Sequence, residues 1–315
     1  MRDDSSATRG SREAIRPGTL FALAGVLSFS FTLPATTLAL GGFGPWTVAS
    51  GRCLVAGVLA GCCLAARRVP VPARRHWPGL AVVAGGCVLG FPILTTLALR
   101  VATTGHSAVV IGLLPLATAV VGASRARRSR SQGRSRGQSR RFWLAAAVGA
   151  AAVLGFTVVQ SHGAPSVADL LLFAALVVCA FGYAEGGRLA AAMPGWQVIA
   201  WALVFALPVT APLTALAVAT EPVHPDGAAV LGLAYIALIS QFGGFVVWYR
   251  GLAELGVARA SQLQLAQPLL TLIWSVVLLG ERLPPLAPAT AVVVLLCITV
   301  TQRDRADLPR ATQRV

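Results

Sequence analysis

Lysine is absent from this 315-residue chain and acids are scarce, so 26 basic residues, all arginine, face only 11 acidic ones. Charged residues make up 12% and apolar residues 56%, with a mean hydropathy of +0.73. A soluble domain is about one-quarter charged and has no means of hiding this much apolar surface. The composition therefore excludes an ordinary soluble fold. Catalytic signatures are missing too: there is no GxxxxGK[ST] loop, no HExxH, no GxSxG elbow and no paired Cys/His cluster. An ATP-driven pump or a metal hydrolase would need one of them. The cysteines, Cys53, Cys62, Cys63, Cys87, Cys179 and Cys297, lie in apolar runs without metal-ligand spacing and read as small hydrophobes. No cofactor or metal is expected.

What the chain does have is a near-continuous series of apolar segments. A bilayer core of about 30 Å needs about 20 apolar residues per helix. Segments of that kind fall at 18–40, 45–66, 79–99, 103–123, 142–160, 167–188, 195–218, 227–249, 256–280 and 284–301. The first is longer than a signal-peptide core and reads as an uncleaved helix. Trp46, Trp77, Trp143 and Trp196 stand where segments begin, as an interfacial aromatic belt requires. The expected fold is an all-α integral membrane protein with ten transmembrane helices.

The arginines orient it. With the N-terminus inside, inner segments hold 23 of them, including eight in 125–141, while outer loops hold only Arg100 and Arg282. The tails at 1–17 and 302–315 are thus expected in the cytoplasm, and the protein in a bacterial cytoplasmic (inner) membrane. A basic chain raises nucleic-acid binding, but these arginines alternate with apolar segments, so topology explains them and no nucleic-acid partner is expected. The stretch 124–141, SRARRSRSQGRSRGQSRR, is a low-complexity loop read as topogenic and lipid-headgroup-binding.

The chain also repeats itself. WTVA at Trp46 matches WQVI at Trp196, and Arg100 matches Arg250, both at an offset of 150; the LPL around Pro115 matches the QPL around Pro268 at 153. Two copies follow, 18–160 with the Arg/Ser-rich loop as an insertion, and 167–301. Each holds five helices, an odd number, so the second enters the membrane from the opposite side. That is an inverted five-plus-five repeat, an arrangement that supports alternating access in secondary transporters.

At this point the sequence resembles the EamA-type transporters of the drug/metabolite transporter superfamily. The resemblance covers about 18–301 and is carried above all by RASQLQLAQPLLTLIWSVVLLGERL at 259–283, where Gln-Pro is followed by Leu-Gly-Glu. The first copy departs from the pattern, with GASRARR in place of Gly-Glu, which leaves Glu281 as a one-copy, helix-terminal structural residue. The resemblance implies transport of a small metabolite through a cavity lined by helices 1–4 and 6–9, with helices 5 and 10 as scaffold. It names no cargo.

Several residues are candidates for that cavity. Ser261, Gln264 and Gln267 share one face of the ninth segment. They line substrate or form interhelical hydrogen bonds. Pro268 breaks that helix and frees the carbonyl of Gln264, and Pro115 does the same to Ile111, one turn below His106 and Ser107. His106 is a residue type suited to proton coupling, yet it lies near an outer end, where a solvated histidine is the simpler reading. Glu185, in FGYAEGGRLA, is the best intramembrane acid and the candidate proton-coupling site; an i,i+3 pair with Arg188 is the structural alternative. Arg52 sits about seven residues inside the second segment, and snorkelling outward is favoured over binding an anionic cargo. Tyr183, Gln241, Trp248 and the Ser28–Ser30 pair beside Pro34 complete the set.

The function expected is proton-coupled export of a small metabolite, an amino acid or related compound, by a secondary transporter. Its expected partners are that small-molecule substrate and membrane lipids, with a homodimer left open. The alternative is a membrane-embedded enzyme or carrier acting on a lipid or polyprenyl headgroup, for which only His162, Glu221, His224 and Asp226 offer polar groups outside.

Overall fold

The computed structural model describes residues 17–128, 140–160, 166–255, 263–264 and 266–306. Among them the only extended pairing is one bridge between Phe43 and Val223; all else regular is helix. Eight helices are long and apolar enough to cross a membrane: α1 (Pro17–Leu40), α2 (Pro45–Ala66), α3 (Arg74–Ala98), α4 (Thr104–Gly122), α5 (Arg140–Gln160), α6 (Val167–Leu189), α7 (Gly195–Thr220) and α8 (Gly227–Gly251). Two shorter apolar helices, α9 (Ala266–Leu279) and α10 (Leu286–Val300), occupy the ninth and tenth expected places. α3 begins earlier than its apolar run, because a tight turn at Arg74–His76 leads into a helix started by Trp77 and Pro78.

The packing repeats across the halves. α1 lies on α8 as α6 lies on α3, while α2 packs on α7 and α5 on α10. Glycines make the repeated seams close. A Cβ at Gly25 would meet Trp248, and one at Gly251 would meet the Ala22 backbone at 2.5 Å, both between α1 and α8. At the matching seam a Cβ at Gly86 of α3 would run into the Val178 carbonyl of α6, and one at Gly182 into Cys87. Small residues let helices approach where lipid supplies no hydrophobic drive between them. Leu20, Leu23, Val58, Leu144, Leu170, Leu216, Leu231 and Leu296 stay exposed on the outer surface, a belt suited to acyl chains.

Prolines interrupt the helices, and the carbonyls they free are used. Pro34 leaves the Ser30 carbonyl without its helical partner; α1 breaks at Phe31, and Thr271 Oγ1 donates to that carbonyl at 2.9 Å. Pro92 likewise frees the Val88 carbonyl, which accepts from Cys53 Sγ at 2.8 Å. Pro115 follows a break in α4 at Gly112 and Leu113. α3 and α8 also each contain a π-helical stretch, Ala84–Gly90 and Tyr235–Gly243, at corresponding places in the two halves. Such stretches are rare and frequent at functional sites.

Candidate functional site

The breaks and π-helical stretches surround one cavity. Its walls come from α1 (Phe29, Thr32, Leu33), α2 (Arg52), α3 (Cys87, Phe91), α4 (Ala108, Ile111, Gly112, Leu114, Pro115), α6 (Cys179, Tyr183), α8 (Ser240, Gln241, Phe245), Gln264 ahead of α9, and the first turns of α9 (Gln267, Pro268, Thr271). α5 and α10 pack on each other and contribute nothing to it. α7, expected in the wall, is also absent; it stands behind α2, where a Cβ at Gly57 would touch Leu207 and the Leu203 carbonyl.

Arg52 is where sequence reasoning errs most. It does not reach outward: it is 2% exposed and lines the cavity. The reason lies in its neighbours, since Ala49, Cys53, Ala56 and Ala60 share the buried face of α2, and a residue at position 52 falls on that face. Its Nη2 donates to Ser240 Oγ at 3.2 Å, and Ser240 Oγ shares a 2.7 Å bond with Thr32 Oγ1. Nε and Nη1 are buried without a hydrogen-bond partner, as is the amide nitrogen of Gln241. The small-residue stripe around position 52 was the signal available in the sequence.

The cavity brings together Gln264, Gln267, Pro268, Pro115, Tyr183 and Gln241 of the sequence candidates. It leaves out others. His106 Nε2 lies 2.6 Å from Asp169 Oδ1 and its ring stacks on Phe156, at a separate cleft shared with Ser166 and Arg282. Ser107 is fully buried and donates to the Thr103 carbonyl at 3.0 Å. Trp248 fills the α1–α8 seam beside Ala22, Val26 and Phe29. Ser30 instead ties α1 to α9, accepting from Trp274 Nε1 at 2.9 Å. Ser261 falls outside the described residues. Thr32, Ser240 and Thr271 were missed, because nothing in a single sequence marks a hydroxyl as cavity-facing.

Glu185 makes the i,i+3 pair with Arg188. It is bound by Arg188, whose Nε donates to Oε1 at 2.9 Å, and it stands two residues beyond Tyr183 on α6. Its carboxylate presses on α3, where a Cβ at Gly79 would come within 2.6 Å of Oε1.

The loop acids act as helix caps. Glu281 caps α4 rather than its own helix, accepting from Thr104 N at 2.7 Å and Gly105 N at 2.8 Å. Glu221 does the same for α2, accepting from the Trp46 and Thr47 amides and the Thr47 hydroxyl. Asp226 accepts from Ala229 N at the start of α8, and Ser166 with Asp169 forms a reciprocal capping box on α6. Glu221 and Asp226 thus serve helix ends, and His162 lies outside the described residues. Among those residues no group of three His, Cys, Asp or Glu could hold a metal.

Comparison with known proteins agrees with this architecture. The EamA-like transporter family matches residues 16–129 and again 166–302. The chain is 43% identical over 281 residues to "Uncharacterized transporter YdeK" of Bacillus subtilis (strain 168), covering 89% of this chain and 94% of that protein. It is 26% identical over 269 residues to the "Probable terminal-alkyne amino-acid exporter" of Streptantibioticus cattleyicolor, covering 83% and 85%. A solved crystal structure overlays with a TM-score of 0.59 at 19% identity, covering 90% of this chain and 97% of its own, a likeness of fold alone. With both halves matched and a relative aligned nearly end to end, the chain belongs to the EamA-like transporter family and is a multi-pass membrane transporter, not an enzyme.

Proposed function

We propose that this transporter is a secondary active exporter of an amino acid or related small metabolite, working by alternating access from a bacterial cytoplasmic membrane with both termini inside. The observation that carries the reading is the cavity itself, built from both halves and lined by the amides of Gln241, Gln264 and Gln267. Hydrogen-bonding groups gathered on breaks between repeats are the arrangement by which inverted-repeat carriers hold a small polar solute. The Streptantibioticus relative, named an amino-acid exporter, supports the substrate class.

The proton gradient is the proposed driving force and Glu185 the acid that responds to it. It is buried, close in sequence to the cavity wall at Tyr183, and paired with an arginine that is itself 62% exposed. The orientation rests on the arginine distribution.

The test uses everted membrane vesicles from overexpressing cells and a radiolabelled pool of the standard amino acids. Accumulation driven by an acid interior is expected, with loss in Gln264→Ala. Glu185→Gln should lose driven accumulation while keeping exchange of label at equal pH. Vesicles that accumulate no amino acid beyond the empty-vector control would sink the substrate class, and unaltered driven transport in Glu185→Gln would remove that residue from coupling.

A further inference from the structure

We infer that Arg52 is the carboxylate anchor of the cavity: its guanidinium binds a monoanionic carboxylate on the cargo, and the site refuses organic cations and uncharged carboxamides. The inference rests on the reading above that cargo occupies this cavity; it adds the group by which cargo is recognised.

A guanidinium carries five N–H donors in a rigid plane. The structure engages Arg52 through one bond, Nη2 to the neutral Ser240 hydroxyl, and leaves Nε and Nη1 buried and unmatched. Holding α2 against α8 would need only a hydroxyl or an amide at this position. An arginine does more than that role requires, and a charge placed inside a membrane span faces a large desolvation penalty unless a partner arrives.

The rest of the wall says what the partner is. Among the described residues no lining side chain is acidic and none but Arg52 is cationic, so Arg52 sets the sign of this wall, attracting an anion and repelling a cation. The planar fork matches a carboxylate through two parallel bonds. A phosphate dianion would call for a second cation, and among the described lining residues there is none. Gln241, adjacent to Ser240 and with its amide nitrogen free, stands ready as a neutral second donor. The ammonium of an amino acid would then face neutral acceptors and the rings of Phe29, Tyr183 and Phe245.

The anchor is single. At the repeat offset of 150 its counterpart on α7 is Ala202, which is fully buried and outside the cavity. A symmetric scaffold thus holds its cargo by one end.

The experiment uses the full-length protein purified in detergent. Thermal-shift binding is measured for the standard amino acids, their carboxamides, the matching decarboxylated amines and inorganic phosphate. Ligands with a free carboxylate are expected to bind at least about tenfold tighter than their carboxamides or amines. Arg52→Gln should lose that preference, and Arg52→Lys, which keeps the charge without the fork, should retain part of it. The inference is overturned if wild-type protein binds carboxamides or amines as well as carboxylates, if phosphate competes equally, or if folded Arg52→Gln keeps carboxylate affinity. Should Arg52→Gln fail to elute as a folded species, the wild-type comparison of carboxylate with carboxamide decides alone. Counterflow in proteoliposomes separates the two readings. Arg52-dependent carboxylate binding without counterflow overturns transport of that cargo and leaves the anchor standing, whereas counterflow indifferent to the carboxylate overturns the anchor and leaves transport standing.

Discussion

The Glu281 carboxylate grips the first turn of α4, accepting from Thr104 N at 2.7 Å across 177 residues of sequence. A carboxylate at a helix N-terminus satisfies amides that have no helical partner and complements the helix dipole. Glu281→Ala is expected to lower stability by about 2 kcal/mol, with Glu281→Gln between it and wild type. Glu221→Ala, which strips two amides and a hydroxyl at α2, should cost at least as much. Thermal unfolding of detergent-purified protein checks both; unchanged midpoints would mean these ends are held by other contacts.

The glycine seams give a sharper contrast. Gly86→Val is expected to abolish recovery of folded protein, since its Cβ collides with the Val178 backbone of α6, which cannot move without shifting the helix. Gly155→Ala, where nothing lies within 4 Å, should leave yield and elution on size exclusion as wild type.

Trp248 and Gln241 were candidates of one kind in the sequence and are of two kinds in the structure. Trp248→Ala removes a side chain packed on Gly25 and Ala22 and should destabilise by about 3–5 kcal/mol while surviving protein keeps its KM. Gln241→Ala should show the reverse, a raised KM with a melting midpoint close to wild type. Parallel unfolding and transport measurements separate them.

Arg188 is 62% exposed, but the Glu185 side chain it pairs with is only 11% exposed. Arg188→Gln, which leaves a buried carboxylate without its cation, is expected to lower stability by about 2 kcal/mol. An unchanged melting midpoint would mean that other groups hold the Glu185 carboxylate.

Much of the scaffold was legible because lipid makes rules strict. Length and apolarity placed most of the described helices closely, as at α2, where 45–66 was expected and Pro45–Ala66 is found, though α3 begins at Arg74 and not at 79. The site was legible only in part. Prolines advertise themselves, so the break at Pro115 and the glutamines beside Pro268 could be read, while the break at Phe31 ahead of Pro34 was not. Direction could not: Arg52 and His106 look alike as lone polar groups near helix ends, and only neighbouring helices decide that one turns inward and the other pairs with Asp169. The π-helical stretches were hidden as well. Gly85, Gly86 and Pro92 hint at the first, but at the second only Gly243 and Gly244 do.

Those stretches bear on motion. A π turn holds one residue more than the α turn it replaces, and such a surplus can pass along a helix one peptide at a time, each step turning the residues it crosses by about 100° without severing the rod. Ser240 and Gln241 lie within the stretch of α8, and Ser240 is the residue to which Arg52 is bonded. Migration of that surplus would unhook Ser240 from Arg52 and swing the Gln241 amide around the wall in a single stroke. The cargo grip and the register of α8 would then change together.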